Sequence, residues 1–169
     1  MQKSNVYLVG LMGSGKTSIG KILAKRMSMD FIDLDNEIIK DEKSSISEIF
    51  DKFGEKKFRH LENEKLLSTM KFDNYVISTG GGIIMNQDNV KIMKENGCII
   101  HLDIDLKTQL LRIKNKKNRP LLNRGNEEKI LSKMRKERDH IYKKIAVVTI
   151  NTSNKKRNDI VTEMVEAII

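Results

Sequence analysis

The fold of this chain is decided by the stretch Gly10-Leu11-Met12-Gly13-Ser14-Gly15-Lys16-Thr17. Its pattern, G-x-x-x-x-G-K-T, is that of a phosphate-binding P-loop, which lies between a strand and a helix. An apolar, β-branched run precedes it at residues 5–9, and apolar residues follow it at helical spacing, at positions 19, 22, 23 and 27. The motif therefore has the context it needs, and we expect the chain to bind a nucleoside triphosphate.

Each part of the motif has a physical role toward a triphosphate. The glycines let backbone N–H groups turn toward phosphate oxygens, and the following helix directs its positive end at them. Lys16 reaches the β- and γ-phosphates, and the Thr17 hydroxyl ligates Mg²⁺. The alternative, a glycine-rich turn without a ligand, explains neither the lysine nor the flanking elements.

Length and composition predict one cytoplasmic domain. A chain of 169 residues builds a single core, so we expect one domain over residues 1–169. No apolar run approaches the length of a membrane span, and the first strand enters the P-loop without room for a signal peptide. Cys98 is the only cysteine and lies in an apolar run, which predicts a buried strand residue. We expect no membrane partner.

The net charge of +9 is concentrated in one segment. Residues 107–144 hold 14 Lys and Arg against 4 Asp and Glu, so the rest of the chain is close to neutral. The chain has no Trp, three Tyr and five Phe, a poor set for stacking on bases. We expect anionic small-molecule ligands and no nucleic acid, although an RNA-binding, ATP-dependent regulator remains an alternative.

The pattern of apolar runs predicts an α/β fold. Strands are expected at residues 5–9, 31–33, 75–78, 98–102 and 147–150. Helices are expected at residues 88–95, 106–113, 127–144 and 159–168, besides the one after the P-loop. Alternating strands and helices indicate a five-stranded parallel sheet covered on both faces, a three-layer α/β/α arrangement.

Two stretches interrupt that alternation. Residues 35–70 are predicted to be nearly all helical, with a capping box at Ser45 and Glu48 and a second helix after Gly54, and to form a small region over the carboxyl edge of the sheet. Residues 114–126 are polar and basic and contain the only proline, Pro120. A loop of that length is usually functional, so we expect a closing lid whose Arg119 reaches the transferring phosphoryl group.

Two carboxylates follow the predicted second strand. If the chain stays extended, Asp33 and Asp35 point to the same face of the strand. At the carboxyl end of a parallel sheet, both would then face the phosphates. The alternative is that Asp35 caps the helix beginning near Asn36.

Residues 59–62 and 80–82 suggest an acceptor site. Arg59 and Glu62 lie three apart on one helix face, where Glu62 would orient the guanidinium to bind a carboxylate substrate between the apolar walls of Phe50 and Phe58; an exposed ion pair is the alternative. Gly80, Gly81 and Gly82 follow the third strand, and a ligand close to the backbone would explain them better than a plain turn. Neither His60, His101 nor His140 is assigned a role.

In this order, several segments resemble those of shikimate kinases: GLMGSGKT (10–17), DLD (33–35), FDKFGEKKFRHLE (50–62), STGGG (78–82), RPLL (119–122) and RDHIY (138–142). The resemblance covers essentially the full chain. It implies a P-loop kinase fold with a helical substrate-binding insertion and a mobile lid, and transfer of the γ-phosphoryl of ATP to the 3-hydroxyl of shikimate.

The resemblance also implies roles for individual residues. Those expected at the phosphates of ATP are Gly13, Ser14, Gly15, Lys16, Thr17, Ser18 and Arg119, with Arg112 at the adenine. Mg²⁺ is expected at Thr17 and, through water, at Asp33. Those expected at shikimate are Asp35, Phe50, Phe58, Arg59, Glu62, Gly80, Gly81, Gly82 and Arg138. Lys16, Asp35 and Arg119 would be catalytic, with Asp35 orienting or deprotonating the attacking hydroxyl.

One enzymatic alternative uses the same P-loop. A gluconate-kinase-like or nucleoside-monophosphate kinase would bind ATP in the same way, but a nucleotide acceptor explains Arg59, Glu62 and the three glycines less well. We expect a monomer, because no long amphipathic surface is left unassigned.

Overall fold

A single parallel sheet organises the chain. The computed structural model describes residues 4–114 and 126–168. The strands in this part of the chain are β1 (Asn5–Val9), β2 (Asp30–Asp33), β3 (Tyr75–Ser78), β4 (Gly97–Asp103) and β5 (Val148–Asn151). Every neighbouring pair is parallel, and the spatial order is β2-β3-β1-β4-β5. The predicted five-stranded parallel sheet is confirmed.

Helices cover both faces of the sheet. They are α1 (Lys16–Met27), α2 (Leu34–Glu42), α3 (Ile46–Ser68), α4 (Gln87–Asn96), α5 (Leu106–Ile113), α6 (Glu127–Ile145) and α7 (Arg157–Ile168). Short 3-10 turns lie at Thr69–Lys71 and Ile83–Met85. Helices α1 and α7 pack together on one face, whereas α3, α4 and α6 cover the other. This is the three-layer arrangement that the sequence predicts.

The central strand β1 is buried on both faces. Val6 and Leu8 join the core shared with α1 and α7, while Tyr7 and Val9 join the core on the opposite face. Alternate side chains of a strand point to opposite faces, so a strand buried on both sides is apolar throughout. This burial fixes β1 within the sheet. The carboxyl end of β1 and the P-loop that follows it therefore lie at one edge of the sheet.

Helices α2 and α3 pack against each other over that edge. The Ser45 side chain accepts from Glu48 N and the Glu48 carboxylate accepts from Ser45 N, which is the predicted capping box. Gly54 has φ 78° and ψ 172° and bends α3. Since this conformation is essentially restricted to glycine, the bend is encoded by that residue. A small apolar cluster of their own holds α2 and α3 together (Ile38, Ile49, Phe58 and Leu61).

Some predictions fall at or beyond the limits of the described chain. Residues 115–125, with Arg119 and most of the predicted lid at 114–126, lie outside the described residues. Cys98 lies on β4 as predicted, but it is half-buried rather than buried. In the described ranges, no helix is long and apolar enough to cross a membrane.

Candidate active site

The P-loop curls around the beginning of α1. Gly15 precedes the helix with φ 96°, a left-handed conformation that suits glycine, and no side chain caps the helix there. The ammonium of Lys16 donates to the Gly10 carbonyl at 2.7 Å and to the Leu11 carbonyl at 3.2 Å. The first turn of α1 contains no acidic residue, so this end of the helix remains electrostatically favourable for phosphate.

The side-chain oxygens of Thr17 and Asp33 meet beside the loop. The Thr17 hydroxyl donates to Asp33 Oδ2 at 2.6 Å, while Asp33 Oδ1 accepts from Asn36 N at 3.2 Å and caps α2. In the described part of the chain no cluster of three or more His, Cys, Asp or Glu side chains could hold a metal. Mg²⁺ typically takes one or two protein oxygens and completes its shell with phosphate and water, so this pair fits it.

Asp35 lies in the first turn of α2, not on the strand. The extended interpretation of residues 33–35 is therefore wrong, and so is its alternative, because Asp33 rather than Asp35 caps the helix. Asp35 Oδ1 is buried and has no hydrogen-bond partner among the described residues. Burial, with the charges of Glu62 and Asp33, raises the pKa of Asp35 to about 7, although Lys16 and Arg59 oppose the shift. A carboxylate with such a pKa can accept a proton near neutral pH.

Arg59 is held by two carboxylates of its own helix. Its Nη1 donates to Glu62 Oε2 at 2.6 Å, and its Nη2 donates to Glu55 Oε1 at 3.0 Å. Glu62 is only 1% exposed, whereas the Glu55 side chain is 55% exposed. Phe58 lies under the guanidinium, 5.4 Å from ring centroid to Cζ, and Phe50 packs against Phe58 at 5.0 Å between centroids. The geometry is that of an oriented arginine with apolar walls, not of an exposed ion pair.

The three glycines form a turn that admits these side chains. A Cβ at Gly80 would collide with the Glu62 carboxylate, and one at Gly82 would collide with the Arg59 guanidinium. At Gly81, by contrast, the nearest atom would be the Gly10 carbonyl oxygen at 3.3 Å. A side chain at Gly80 or Gly82 would therefore have to displace the end of the Glu62 or Arg59 side chain, a reason for glycine that the sequence alone does not reveal.

Arg138 approaches the same turn from α6. It is 8% exposed, and its Nη1 lies 3.7 Å from where a Cβ of Gly81 would stand. Its Nε is buried without a hydrogen-bond partner in the described chain. Its charge also acts on Glu62, whose pKa is raised by burial and lowered again in part by Arg59 and Arg138. The two arginines therefore converge on one end of the cleft.

Arg112 occupies the opposite end. Its Nη1 donates to the Gly13 carbonyl at 3.1 Å and its Nη2 donates to the Thr152 carbonyl at 2.8 Å. Lys155 and Arg157 also line the cavity. The family resemblance implies an adenine contact within residues 153–156 but does not decide which residue makes it. A segment rich in Lys and Asn after the last strand carries no motif that distinguishes a cleft residue from a surface one.

One cavity of about 1120 Å³ brings most of the predicted residues together. It is lined by Gly13, Gly15, Lys16, Thr17, Ser18, Asp33, Asp35, Phe50, Phe58, Arg59, Gly80, Gly81, Gly82, Arg112 and Arg138. Among the predicted residues that the structure describes, two do not line it: Ser14 is fully buried in the loop, and Glu62 lies behind Arg59.

The comparison with known proteins places the chain in a family. The family model described as shikimate kinase matches residues 12–169. The chain belongs to the shikimate kinase family. A shikimate kinase of Sulfurihydrogenibium sp. (strain YO3AOP1) is 40% identical over 164 residues, which are 97% of this chain and 97% of that protein. The family resemblance read from the sequence is thereby confirmed, and the chain is an ATP-dependent kinase.

Solved structures agree with the family and with the fold. The shikimate kinase from Acinetobacter baumannii in complex with shikimate has a TM-score of 0.95 and 36% identity, covering 98% of this chain and 93% of that one. The shikimate kinase from Aquifex aeolicus has a TM-score of 0.84 and 37% identity over 97% of this chain and 95% of that one. A gluconokinase from Sinorhizobium meliloti 1021, at 13% identity and TM-score 0.60 over 98% of this chain and 91% of that one, shares the fold alone.

Proposed function

We propose that this shikimate kinase cleft transfers the γ-phosphoryl of MgATP to the 3-hydroxyl of shikimate. The observation that carries the proposal is the content of one cavity: a P-loop with Lys16 at one end, two arginines at the other, and Asp35 between them. Phosphoryl transfer requires the donor phosphate, the attacking hydroxyl and a proton acceptor in one enclosed space.

At the nucleotide end, backbone N–H groups of the P-loop and the start of α1 hold the phosphates. Lys16 exchanges its bonds to the Gly10 and Leu11 carbonyls for phosphate oxygens, and Arg112 lies against the base. Thr17 would hold Mg²⁺ directly and Asp33 would hold it through water, and the ion would supply positive charge to the phosphates.

At the acceptor end, Arg59 and Arg138 bind the carboxylate of shikimate, with the backbone of Gly81 beside it. Glu62 orients Arg59, and Phe50 and Phe58 contact the apolar part of the ring. Arginine suits this task because its planar group binds a carboxylate through two parallel hydrogen bonds.

Asp35 completes the reaction. Its carboxylate accepts the hydroxyl proton as the oxygen attacks the γ-phosphorus, and the bond from that phosphorus to the β,γ-bridging oxygen breaks to release ADP. A pKa of about 7 matches this exchange, since general bases act best near the working pH. Lys16, together with Arg119 from residues 114–126 acting as a lid, stabilises the charge on the transferring group.

The remaining expectations are part of the same proposal. The protein is a single-domain, cytoplasmic monomer that acts on small molecules, with no nucleic-acid or membrane partner. The small apolar cluster shared by α2 and α3 holds these helices together. We assign substrate binding to this region, residues 35–70. Closure of residues 114–126 over both substrates excludes water, which would otherwise hydrolyse ATP.

The reaction is tested by identifying its product. ³¹P NMR of the purified protein with MgATP and shikimate should give ADP and a new phosphate monoester coupled to the proton on C3 of the ring. Asp35→Asn under the same conditions should give neither. Inorganic phosphate in place of the monoester would contradict the proposal.

A further inference from the structure

A tyrosine outside the cavity connects the two groups that bind the acceptor. Tyr142 lies on α6, is fully buried, and donates a hydrogen bond from its hydroxyl to the Gly81 carbonyl. Arg138 lies four residues earlier on the same helix face, and its charge lowers the pKa of Tyr142 against the larger, opposing effect of burial. One hydroxyl thus contacts the glycine turn and lies beside the arginine.

The ring of Tyr142 is held in turn by a histidine. His101, on β4, is 1% exposed and stacks on that ring with centroids 4.8 Å apart and planes inclined by 16°. Its Nδ1 lies 3.2 Å from the Thr149 hydroxyl on β5, so the imidazole is fixed on its other side. Burial lowers the pKa of His101 to about 4, which keeps the ring neutral at physiological pH. The function described above uses neither residue.

We propose that Tyr142 is a positioning residue of the acceptor site, and that His101 holds its ring in place. The inference rests on the proposed function, in which Arg138 and the Gly81 backbone bind the acceptor's carboxylate. Tyr142 does not line the cavity, so it acts through these two groups.

Tyr142 can have this effect because little else fixes the Arg138 guanidinium and the Gly81 backbone. The Nε of Arg138 has no hydrogen-bond partner in the described chain, so the orientation of the guanidinium depends on the groups around its outer nitrogens. Without the tyrosine hydroxyl, the Gly81 carbonyl would lose a buried partner and the turn would relax. An acceptor carboxylate would then have to order both groups itself, at a cost in affinity.

Steady-state kinetics of Tyr142→Phe tests this role. We expect the KM for shikimate to rise roughly tenfold, the effect of one hydrogen bond near a charged group, with the KM for ATP unchanged. Tyr7→Phe is the matched control: Tyr7 is equally buried in the same core, but its hydroxyl lies 3.5 Å from that of Thr69, away from the acceptor site. Both KM values of the control should match the wild type.

A double-mutant cycle identifies the group through which Tyr142 acts. In an Arg138→Gln background, Tyr142→Phe should raise the shikimate KM by a smaller factor than it does alone, because the groups that Tyr142 positions are already impaired. Two His101 variants test the stacking separately. His101→Phe and His101→Leu both lose the bond to Thr149, but only phenylalanine keeps a ring against Tyr142, so only leucine should raise the shikimate KM.

The outcomes separate this inference from the function it rests on. Wild-type release of ADP that depends on shikimate, with an unchanged shikimate KM in Tyr142→Phe, would overturn the role of Tyr142 and leave the function standing. Equal increases in both KM values would also overturn it, since they indicate a general structural effect. If the wild type gave no shikimate-dependent release, both would fail.

Discussion

Replacing Arg59 by lysine probes the acceptor end of the cleft without removing its charge. Three N–H groups of Arg59 engage Glu62 and Glu55, at distances from 2.6 to 3.3 Å. A lysine ammonium would be drawn to the buried Glu62, because that carboxylate has lost its water, and would present no planar pair of donors to an incoming carboxylate. We therefore expect weaker acceptor binding even though the net charge is conserved.

The magnitude follows from the contact that is lost. One hydrogen bond between charged groups contributes about 1.5–3 kcal/mol, and each 1.4 kcal/mol corresponds to about a factor of ten in affinity. The shikimate KM of Arg59→Lys should thus rise by about 10- to 100-fold. The KM for ATP should stay within about twofold of the wild type, because the hydrogen bonds of Arg59 go to Glu55 and Glu62 rather than to the P-loop.

Arg112→Lys is the reciprocal control. Arg112 bonds to the Gly13 and Thr152 carbonyls at the other end of the cavity, so its replacement should raise the KM for ATP several-fold and leave that for shikimate unchanged. Steady-state assays of ADP release, with each substrate varied in turn, measure both. A wild-type shikimate KM in Arg59→Lys, or equal shifts of both constants in either variant, would refute the assignment of the two ends.

Three further variants test Asp35, the glycine turn and the bend of α3. Asp35→Asn should abolish turnover yet melt on the order of 10 °C higher at pH 8. Because the folded-state pKa of about 7 lies above the ordinary aspartate value of 3.8, ionised Asp35 destabilises the fold above pH 7. The higher melting temperature of the variant should therefore disappear as the pH falls from 7 toward 4. Gly82→Ala should raise the shikimate KM, since the methyl group meets the Arg59 guanidinium; a wild-type KM would show that the turn adapts. Gly54→Ala meets nothing within 4 Å, so only backbone strain of about 1–3 kcal/mol should lower its melting temperature, and an unchanged melt would contradict the bend's need for glycine.

Much of the fold could be predicted because its signals are local. The P-loop fixes a strand and a helix, the capping box at Ser45 fixes the start of α3, and the remaining strands are short apolar runs. The sequence does not predict the helical position of Asp35, because helix α2 begins at Leu34, directly after the strand, and no glycine or proline marks that junction. Propensity cannot decide one residue at such a boundary.

The candidate site was less accessible to sequence reasoning. Arg138 could be named only through the family resemblance, because a single arginine on a basic helix is indistinguishable in sequence from an exposed surface residue. The contact between His101 and Tyr142 has no signal in the sequence, since their stacking joins β4 to α6, 41 positions apart, and depends on the crossing of two elements. Similarly, the steric need for Gly80 and Gly82 appears only when Glu62 and Arg59 fold against them.

If one cavity joins MgATP to a carboxylate-bearing alcohol, the release of ADP must depend on that acceptor. The purified protein with MgATP would be assayed with shikimate, gluconate, AMP or no acceptor. We predict that, of these conditions, only shikimate gives rapid release of ADP, and that Asp35→Asn abolishes this release. Release that is equally fast with gluconate or AMP, or that does not depend on an acceptor, would contradict the claim.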